Sequence, residues 1–182
     1  MRYFLSKRLP PFTRVLLIES GNRELYEELL PGLYELYPGM RADLITCFGG
    51  APQAFRAAAG EIYRVTDYPG RKNRKRLYKQ LASNHYAVVG MICCAMPIMT
   101  KWKWALAARL PAKVFILNEN GDYFWLDRGH LDIIRHFILF RAGLTGSGAV
   151  RTLARLLSFP FTLLYLILYA ATVHLRRKLR TL

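Results

Sequence analysis

The sequence predicts an α/β fold in which a parallel sheet is covered by helices on both faces, and three observations lead to this prediction. Apolar runs of strand length recur five times along the first two thirds of the chain. Amphipathic segments of helix length separate most of them, and the connections are short. Each strand–helix–strand unit should therefore form a right-handed crossover. We expect a Rossmann-like, doubly wound sheet of about five strands in the order 3-2-1-4-5.

The predicted strands are apolar or alternating runs that stop at turn residues. They cover residues 14–19, 42–48, 61–68, 87–95 and 112–117. Residues 20–22, Ser-Gly-Asn, end the first strand, and Gly49 and Gly50 end the second. Both sequences are typical of loops and helix caps. In the predicted order, the fifth strand lies at an edge of the sheet.

Helical segments fill the gaps between these strands. Leucines at helical spacing predict the first helix, which Pro31-Gly32 should kink or split. The basic run 71–79 begins the second helix, and the third should start at Pro97. A further helix is expected at 130–144, before a glycine-containing break at 143–148.

The C-terminal region predicts a membrane-associated helix. Residues 156–175 form a stretch of 20 residues without Asp, Glu, Lys or Arg, which matches the length of a bilayer core. Basic residues flank it on both sides, so a simple span would place one cluster on the outer face. An in-plane or re-entrant helix kinked near Pro160 would keep both clusters at the cytoplasmic face of the inner membrane, and a spanning form remains the alternative.

The chain is expected to have four regions. These are a basic leader at 1–12, the Rossmann-like domain at 13–128, a connecting helix and break at 129–148, and the membrane-associated helix with its basic tail at 149–182. The net charge of +15 favours an anionic partner such as anionic lipid. Nucleic acid is not favoured, because no recognised motif is present and most aromatic residues occupy predicted core positions.

Motifs for metals and cofactors are not found in the sequence. The three cysteines form no CxxC pair, and no His/Cys cluster has zinc spacing, so no metal site is predicted. The first loop contains one glycine and does not match GxGxxG, and GxxxxGK[ST] does not occur. We therefore expect no nucleotide cofactor.

Ligands of open parallel sheets bind beyond the carboxyl ends of the strands, and this rule selects the candidate site. It points to the loops that follow the five strands, including the run from Cys94 to Lys101. The candidate ligand-binding residues are Ser20, Gly21, Asn22, Gly49, Gly50, Arg71, Lys72, Thr100, Lys101, Asn118 and Asn120. For the basic run 71–79, anion binding and a solvated helix face are both open interpretations.

The polar cluster 118–122 stands directly before three aromatic residues in the run 123–125. Polar groups beside an aromatic wall would suit the hydroxyls of a sugar or a lipid headgroup. Glu119 and Asp122 are therefore candidate catalytic carboxylates. The same residues are also typical of an ordinary turn. We interpret the aromatic run as the start of a connection toward the membrane.

The stretch VLLIESGNRELYEELLPGLYELYPGMRADLIT resembles the opening of the N-terminal, acceptor-side domain of GT-B glycosyltransferases of the heptosyltransferase type. The later stretch HYAVVGMICCAMPIMTKWKWALAARLPAKVFIL resembles the fourth strand, helix and fifth strand of that domain. The resemblance covers about residues 13–120. It implies binding of a lipid-phosphate or glycan acceptor in bacterial envelope polysaccharide or glycolipid assembly.

Two departures from that family shape the expectation. The family's Gly-Asp in the first loop, whose Asp is a candidate base, is Gly21-Asn22 here, and an amide cannot take a proton. Glu19 or Glu24 would have to substitute. The residues after the resemblance are too few for a second, donor-binding domain, so a soluble donor-binding subunit is expected as a partner. The alternatives are a non-catalytic membrane adaptor and a self-sufficient small enzyme, and whether the chain is catalytic is left open.

Overall fold

The computed structural model describes residues 3–6, 8–56, 60–145 and 148–180. They belong to two compact units, Met1–Leu131 and Asp132–Leu182. The first unit holds the α/β domain, and the second holds the C-terminal helices. Each is considered by itself.

A six-stranded sheet forms the centre of the first unit. Its strands are β1 (Arg14–Glu19), β2 (Arg41–Thr46), β3 (Ile62–Arg64), β4 (Val88–Cys93), β5 (Lys113–Asn118) and β6 (Tyr123–Trp125). The order is β3-β2-β1-β4-β5-β6. The first five strands are parallel, which confirms the predicted fold class and the order 3-2-1-4-5.

The sixth strand was not predicted. β6 pairs antiparallel with β5, with Phe124 opposite Ile116. The expectation that the fifth strand is an edge strand is therefore wrong, and residues 123–125 form a strand of the sheet itself. A three-residue strand is too short to show a periodic pattern, and its aromatic residues concealed it among the turn residues before it.

The third strand is shorter than its sequence pattern suggests. It ends at Arg64, and a single 3₁₀ turn, Val65–Asp67, replaces the rest of the predicted run 61–68. Pairing explains this difference. β3 contacts only the last three residues of β2, Leu44 to Thr46, so alternation beyond Arg64 has no partner strand to bond.

Three helices cover the sheet: α1 (Glu24–Leu36), α2 (Gly70–Ser83) and α3 (Thr100–Arg109). α1 runs without a break through Pro31, so the predicted split is wrong. Pro31 and Gly32 lie on the exposed side, where water can satisfy the carbonyl group that a proline leaves without a donor. The buried side chains of Leu30 and Tyr34 hold the helix against the sheet around this point. α3 begins three residues later than predicted, after Met99 in a left-handed conformation.

The core lies between the sheet and its helices. Every side chain of β1 from Val15 to Glu19 is buried, and so is every residue of β4. The hydroxyl of Tyr26 on α1 lies 3.0 Å from the carbonyl oxygen of Ile18 and 3.1 Å from that of Gly90. α1 is thereby tied to the two central strands, and the position of its first turn beside the loop after β1 is set.

The described residues of the second unit form two helices, α4 (Leu131–Arg141) and α5 (Gly148–Arg180). α5 continues through Pro160. Its stretch Ala149–Arg177 is long and apolar enough to cross a membrane, judged by length and composition, and its most apolar window is not buried in the protein. An apolar C-terminal helix that could associate with a membrane is therefore present, as predicted.

Candidate functional site

A crevice of about 330 Å³ lies at the carboxyl edge of the sheet. Residues from the loop after β1, the first turn of α1 and the loops after β4 and β5 line it. They are Asn22, Leu25, Cys94, Ala95, Met96 and Glu119. β1 and β4 are neighbours where the strand order changes direction, and open α/β sheets bind ligands at this switch point. Fold and cavity therefore indicate the same place.

The loop after β1 is locked against the end of β4. Gly21 is buried, and a Cβ atom at this position would lie 2.2 Å from Ile92 Cγ2 and 2.8 Å from Cys94 Sγ. The Ser20 hydroxyl donates a hydrogen bond of 2.7 Å to the carbonyl oxygen of Ile92. Only glycine permits this approach, so Gly21 shapes the crevice wall through the backbone. Ser20 is buried beneath the wall, which suits it to support the loop rather than to contact a ligand.

Asn22 stands at the rim of the crevice and is exposed. Its side-chain amide donates a hydrogen bond of 2.9 Å to Glu24 Oε2, at the start of α1. The amide offers both donor and acceptor atoms to a ligand. Asn22 is thus a ligand-binding candidate from the first loop that reaches the crevice.

Glu19 lies in a different environment from that expected of a catalytic base. Its side chain is buried, and Oε1 accepts a hydrogen bond of 2.6 Å from Arg23 Nε. Oε2 accepts a hydrogen bond from the hydroxyl of Thr46, on β2. The hydrogen bond between Arg23 and Glu19 raises the pKa of Arg23. The guanidinium of Arg23 also donates a 3.1 Å hydrogen bond to the carbonyl of Gly49, in the loop after β2. Glu19 therefore helps to hold the loop after β1 against the loop after β2.

The polar cluster 118–122 forms the turn between β5 and β6. Asn118 Oδ1 accepts hydrogen bonds of 2.9 Å from the backbone N–H groups of Asn120 and Asp122. Its amide donates to Asp122 Oδ2 at 3.2 Å, and Gly121 adopts a φ of 84°. Asn118 and Asp122 are thus engaged in turn bonds within the hairpin. Glu119 is exposed and lines the crevice, facing the same space as Asn22.

The remaining candidates are exposed at the carboxyl edge of the sheet, but the described lining of the crevice does not include them. They are Gly49 and Gly50 after β2, Arg71 and Lys72 in the first turn of α2, and Thr100 and Lys101 in the first turn of α3. All six residues from 71 to 76 are exposed, whereas Leu77 and Leu81 face the core. This distribution is that of a solvated helix face that could meet an anionic surface.

Leu25 and Lys103 were not among the candidate site residues predicted from the sequence. Leu25 was expected to belong to the helix core, yet it lines the crevice. Lys103 is 5% exposed, and its ammonium donates a 3.0 Å hydrogen bond to the carbonyl of Ile92, the same oxygen that Ser20 bonds. A signal existed for Lys103, because it shares helical spacing with the buried Leu106 and Ala107.

The comparisons with protein-family models and with curated proteins found no match. Within the described ranges, no three His, Cys, Asp or Glu side chains are grouped so that they could hold a metal ion. The chemistry of the crevice therefore has to be argued from its own groups. These are one carboxylate, one amide, the thiol of Cys94, and an apolar wall that includes Leu25 and Met96.

Proposed function

We propose that the protein is a membrane-associated, glycosyltransferase-like half that binds a glycan-bearing acceptor in bacterial envelope polysaccharide or glycolipid assembly. The observation that supports this most is the crevice at the switch point, where Asn22 and Glu119 share the lining. Sugar hydroxyls both donate and accept hydrogen bonds, so an amide beside a carboxylate matches them. The volume, about 330 Å³, lies at the lower end of the range for small-molecule sites.

Glu119 is the carboxylate best placed for chemistry in this proposal. It is exposed and lines the crevice, so an acceptor hydroxyl bound there would come within reach of a general base. Glu19 is less suitable because its side chain is buried and lies outside the described lining of the crevice. Asp122 is also outside that lining.

We place the protein at the cytoplasmic face of the inner membrane, with α5 as its membrane-associated part. The length and apolar character of Ala149–Arg177 support association with a bilayer. The net charge of +15 and the exposed basic face of α2 would favour anionic lipid on that side. A soluble donor-binding chain would supply the nucleotide sugar, as the resemblance of residues 13–120 to an acceptor-side domain implies.

Cys94 provides a direct test, since its partly exposed thiol lines the crevice. We expect short methyl glycosides to slow alkylation of Cys94 by a maleimide in a saturable manner. Cys47, which is partly exposed outside the described crevice lining, is the internal control. Glu119→Gln should weaken glycoside binding, measured by this protection, about tenfold. Unchanged alkylation of Cys94 across a panel of glycosides and lipid-linked sugars would contradict the proposal.

A non-catalytic membrane adaptor is the second candidate. The observation in its favour is that Glu19, Asn118 and Asp122 are engaged in hydrogen bonds within the protein. Purification with native membrane partners distinguishes the two functions. A co-eluting donor-binding glycosyltransferase chain supports the first function, and turnover of a nucleotide sugar by the isolated chain would contradict its dependence on a partner. A stable partner that binds no nucleotide sugar, combined with no glycoside binding, supports the adaptor.

A further inference from the structure

A second cavity, of about 340 Å³, lies along the outer part of α1 and is largely apolar. Leu29, Leu33 and Leu36 of α1 form one side of it. Phe115 and Trp125, from β5 and β6, contribute aromatic rings whose centroids lie 5.8 Å apart. We call this cavity the apolar groove. Its volume falls in the range of small-molecule sites.

The leader supplies another wall of the groove. Phe12 stacks on Tyr37 with ring centroids 4.4 Å apart, and Leu9 also lines the cavity. The ammonium of Lys113 donates hydrogen bonds to the backbone carbonyls of Ser6 (2.9 Å) and Arg8 (3.2 Å), which holds the leader in place. The buried Lys113, at the start of β5, therefore fixes the leader segment that forms this wall of the groove.

Apolar side chains around the groove are exposed to an unusual degree. Leu36 is 74% exposed and Tyr123 is 62% exposed. Grouped exposed apolar residues of this kind mark binding surfaces in soluble domains. Glu28 is the charged member of the lining. The mostly apolar lining of the groove fits a hydrocarbon chain better than a polar ligand.

The apolar groove and the crevice share their supporting elements. Leu25 lines the crevice and Leu29 lines the groove, one helical turn or roughly 5.4 Å apart along α1. On the facing side, Glu119 of the β5–β6 turn lines the crevice and Tyr123 of β6 lines the groove. Phe115 is the residue of β5 that lines the groove, and it precedes Asn118, at the carboxyl end of the strand, by three residues or roughly 10 Å.

We propose that the apolar groove binds the hydrocarbon chain of a sugar-bearing lipid whose sugar occupies the crevice. This inference rests on the proposed function and names the class of acceptor, an amphiphile with a sugar head and a single apolar chain. The head would meet Asn22 and Glu119, and the chain would lie between α1 and the aromatic residues of β5 and β6. Burial of the chain against leucine and aromatic side chains would supply most of the affinity.

Photo-crosslinking of the full chain, held in amphipol, tests the proposal. The probe is a dodecyl glucoside with a diazirine in its chain, and the comparator is the matching diazirine-bearing dodecanol. We expect the glucoside to label peptides containing Leu29–Tyr37 and Tyr123–Trp125 at least fivefold more than the alcohol does. Unlabelled dodecyl glucoside should compete, and labelling of α5 serves as the internal reference.

A matched pair of variants locates the chain. Leu33→Arg places a charge in the apolar groove and should abolish labelling of α1 and β6 without changing that of α5. Ile62→Arg makes the same chemical change at an exposed position on β3, the opposite edge of the sheet, and should leave labelling intact. Circular dichroism of both variants confirms that they are folded. Equal loss of labelling in both variants would overturn the location.

The outcomes of these experiments distinguish a failure of the groove inference from a failure of the proposed function. If methyl glucoside protects Cys94 but the long-chain probe leaves α1 and β6 unlabelled, the groove inference is wrong and the proposed function stands. If alcohol and glucoside label the groove equally, the groove holds apolar chains and the sugar-lipid acceptor is overturned. Concentration-dependent dimerisation that Leu33→Arg abolishes would assign the groove to a second copy and would also overturn the inference.

Discussion

The ammonium of Lys113 lies 2.7 Å from the carboxylate of Asp127, and both side chains are almost completely buried. Lys113 begins β5, and Asp127 follows β6, so the ion pair joins the two ends of the hairpin. The same ammonium bonds the leader, and the carboxylate also accepts hydrogen bonds from Gly129 N and the His130 ring. One buried pair thus connects the leader, the edge of the sheet and the start of the segment that leads to α4.

Replacement of Asp127 by Asn should strongly destabilise the α/β domain. The substitution leaves the buried ammonium of Lys113 opposite a neutral amide, and breaking a buried pair in this way costs about 3–5 kcal/mol. The double variant Lys113→Met/Asp127→Asn should lose less, because it removes both charges. Guanidinium unfolding of the full chain in mild detergent, followed by tryptophan fluorescence, measures the difference.

The exposed Asp67 provides the control for this substitution. Asp67→Asn should change the free energy of unfolding by no more than about 0.5 kcal/mol. A loss below about 1 kcal/mol for Asp127→Asn would show that the ion pair is not the anchor inferred from its geometry.

Protonation of Asp127 should lower the stability of the protein at acid pH. Burial alone would raise the pKa of this carboxyl group, but hydrogen bonds from Lys113, His130 and Gly129 lower it to about 2, against an ordinary 3.8. A carboxyl group with a lowered folded pKa stabilises the fold at pH values above its unfolded pKa. That contribution should therefore be complete above about pH 4 and should be lost as the pH falls toward 2.

Unfolding of the wild type and of Asp127→Asn across this range isolates the effect from other acid-sensitive groups. The stability gap between the two proteins should be constant from neutral pH down to about 4, and should narrow below it. A gap that stays constant down to pH 2 would contradict the lowered pKa.

Gly21→Ala should destabilise the protein and deform the crevice. The added Cβ atom would lie 2.2 Å from the side chain of Ile92, a contact that only movement of the loop or of β4 can relieve. Overpacking of this kind costs about 1–3 kcal/mol. Gly49→Ala is the matched control, because nothing lies within 4 Å of a Cβ atom at Gly49.

Two readouts apply to this pair of glycine variants. Chemical unfolding reports stability, and the alkylation rate of Cys94 reports the shape of the crevice wall, since Cys94 Sγ lies 2.8 Å from the added atom. Equal behaviour of Gly21→Ala and Gly49→Ala in both measurements would show that the close approach of the loop to β4 is not required.

Asn118→Ala should weaken the β5–β6 hairpin. The substitution removes an oxygen that accepts two backbone N–H groups and an amide that bonds Asp122. We expect a loss of about 1–3 kcal/mol, less if water replaces these bonds at the exposed turn. Amide hydrogen exchange of Tyr123–Trp125 should accelerate. Asn120→Ala retains the backbone donor that Asn118 bonds and should have little effect, so equal acceleration in both variants would refute the role of the Asn118 side chain.

The strand order was predictable because each parallel strand carries its own apolar pattern and short right-handed crossovers leave few alternative orders. The role of Glu19 was not predictable, since its partner Thr46 lies on another strand and pairing across a sheet leaves no local signal. The turn bonds of Asn118 were one of two interpretations that the sequence allowed. β6 was not predicted, because three residues are too few to show a periodic pattern. The sequence also could not show that Leu25 and Glu119 line the same crevice, because tertiary packing brings them together.

Glu19→Gln and Glu119→Gln together should separate the structural carboxylate from the ligand-facing one. Glu19→Gln replaces a charge-assisted bond to Arg23 by a neutral one, and we expect the free energy of unfolding to fall by about 1–3 kcal/mol. Arg23 is a third exposed, which keeps the loss below that of a fully buried pair. Glu119→Gln, at an exposed position, should change stability by no more than about 0.5 kcal/mol.

Glycoside binding should show the opposite order for the same two variants. Glu119→Gln removes a carboxylate from the crevice and should weaken binding about tenfold, which corresponds to about 1.4 kcal/mol. Glu19→Gln should retain binding at temperatures where it remains folded, because Arg23 and Thr46, not the ligand, contact its carboxylate. Chemical unfolding and Cys94 protection, measured on both proteins, check the contrast. If Glu19→Gln abolishes binding while it remains folded and Glu119→Gln does not, then Glu19 is the functional carboxylate, and the crevice at the switch point acts through the loop after β1 alone.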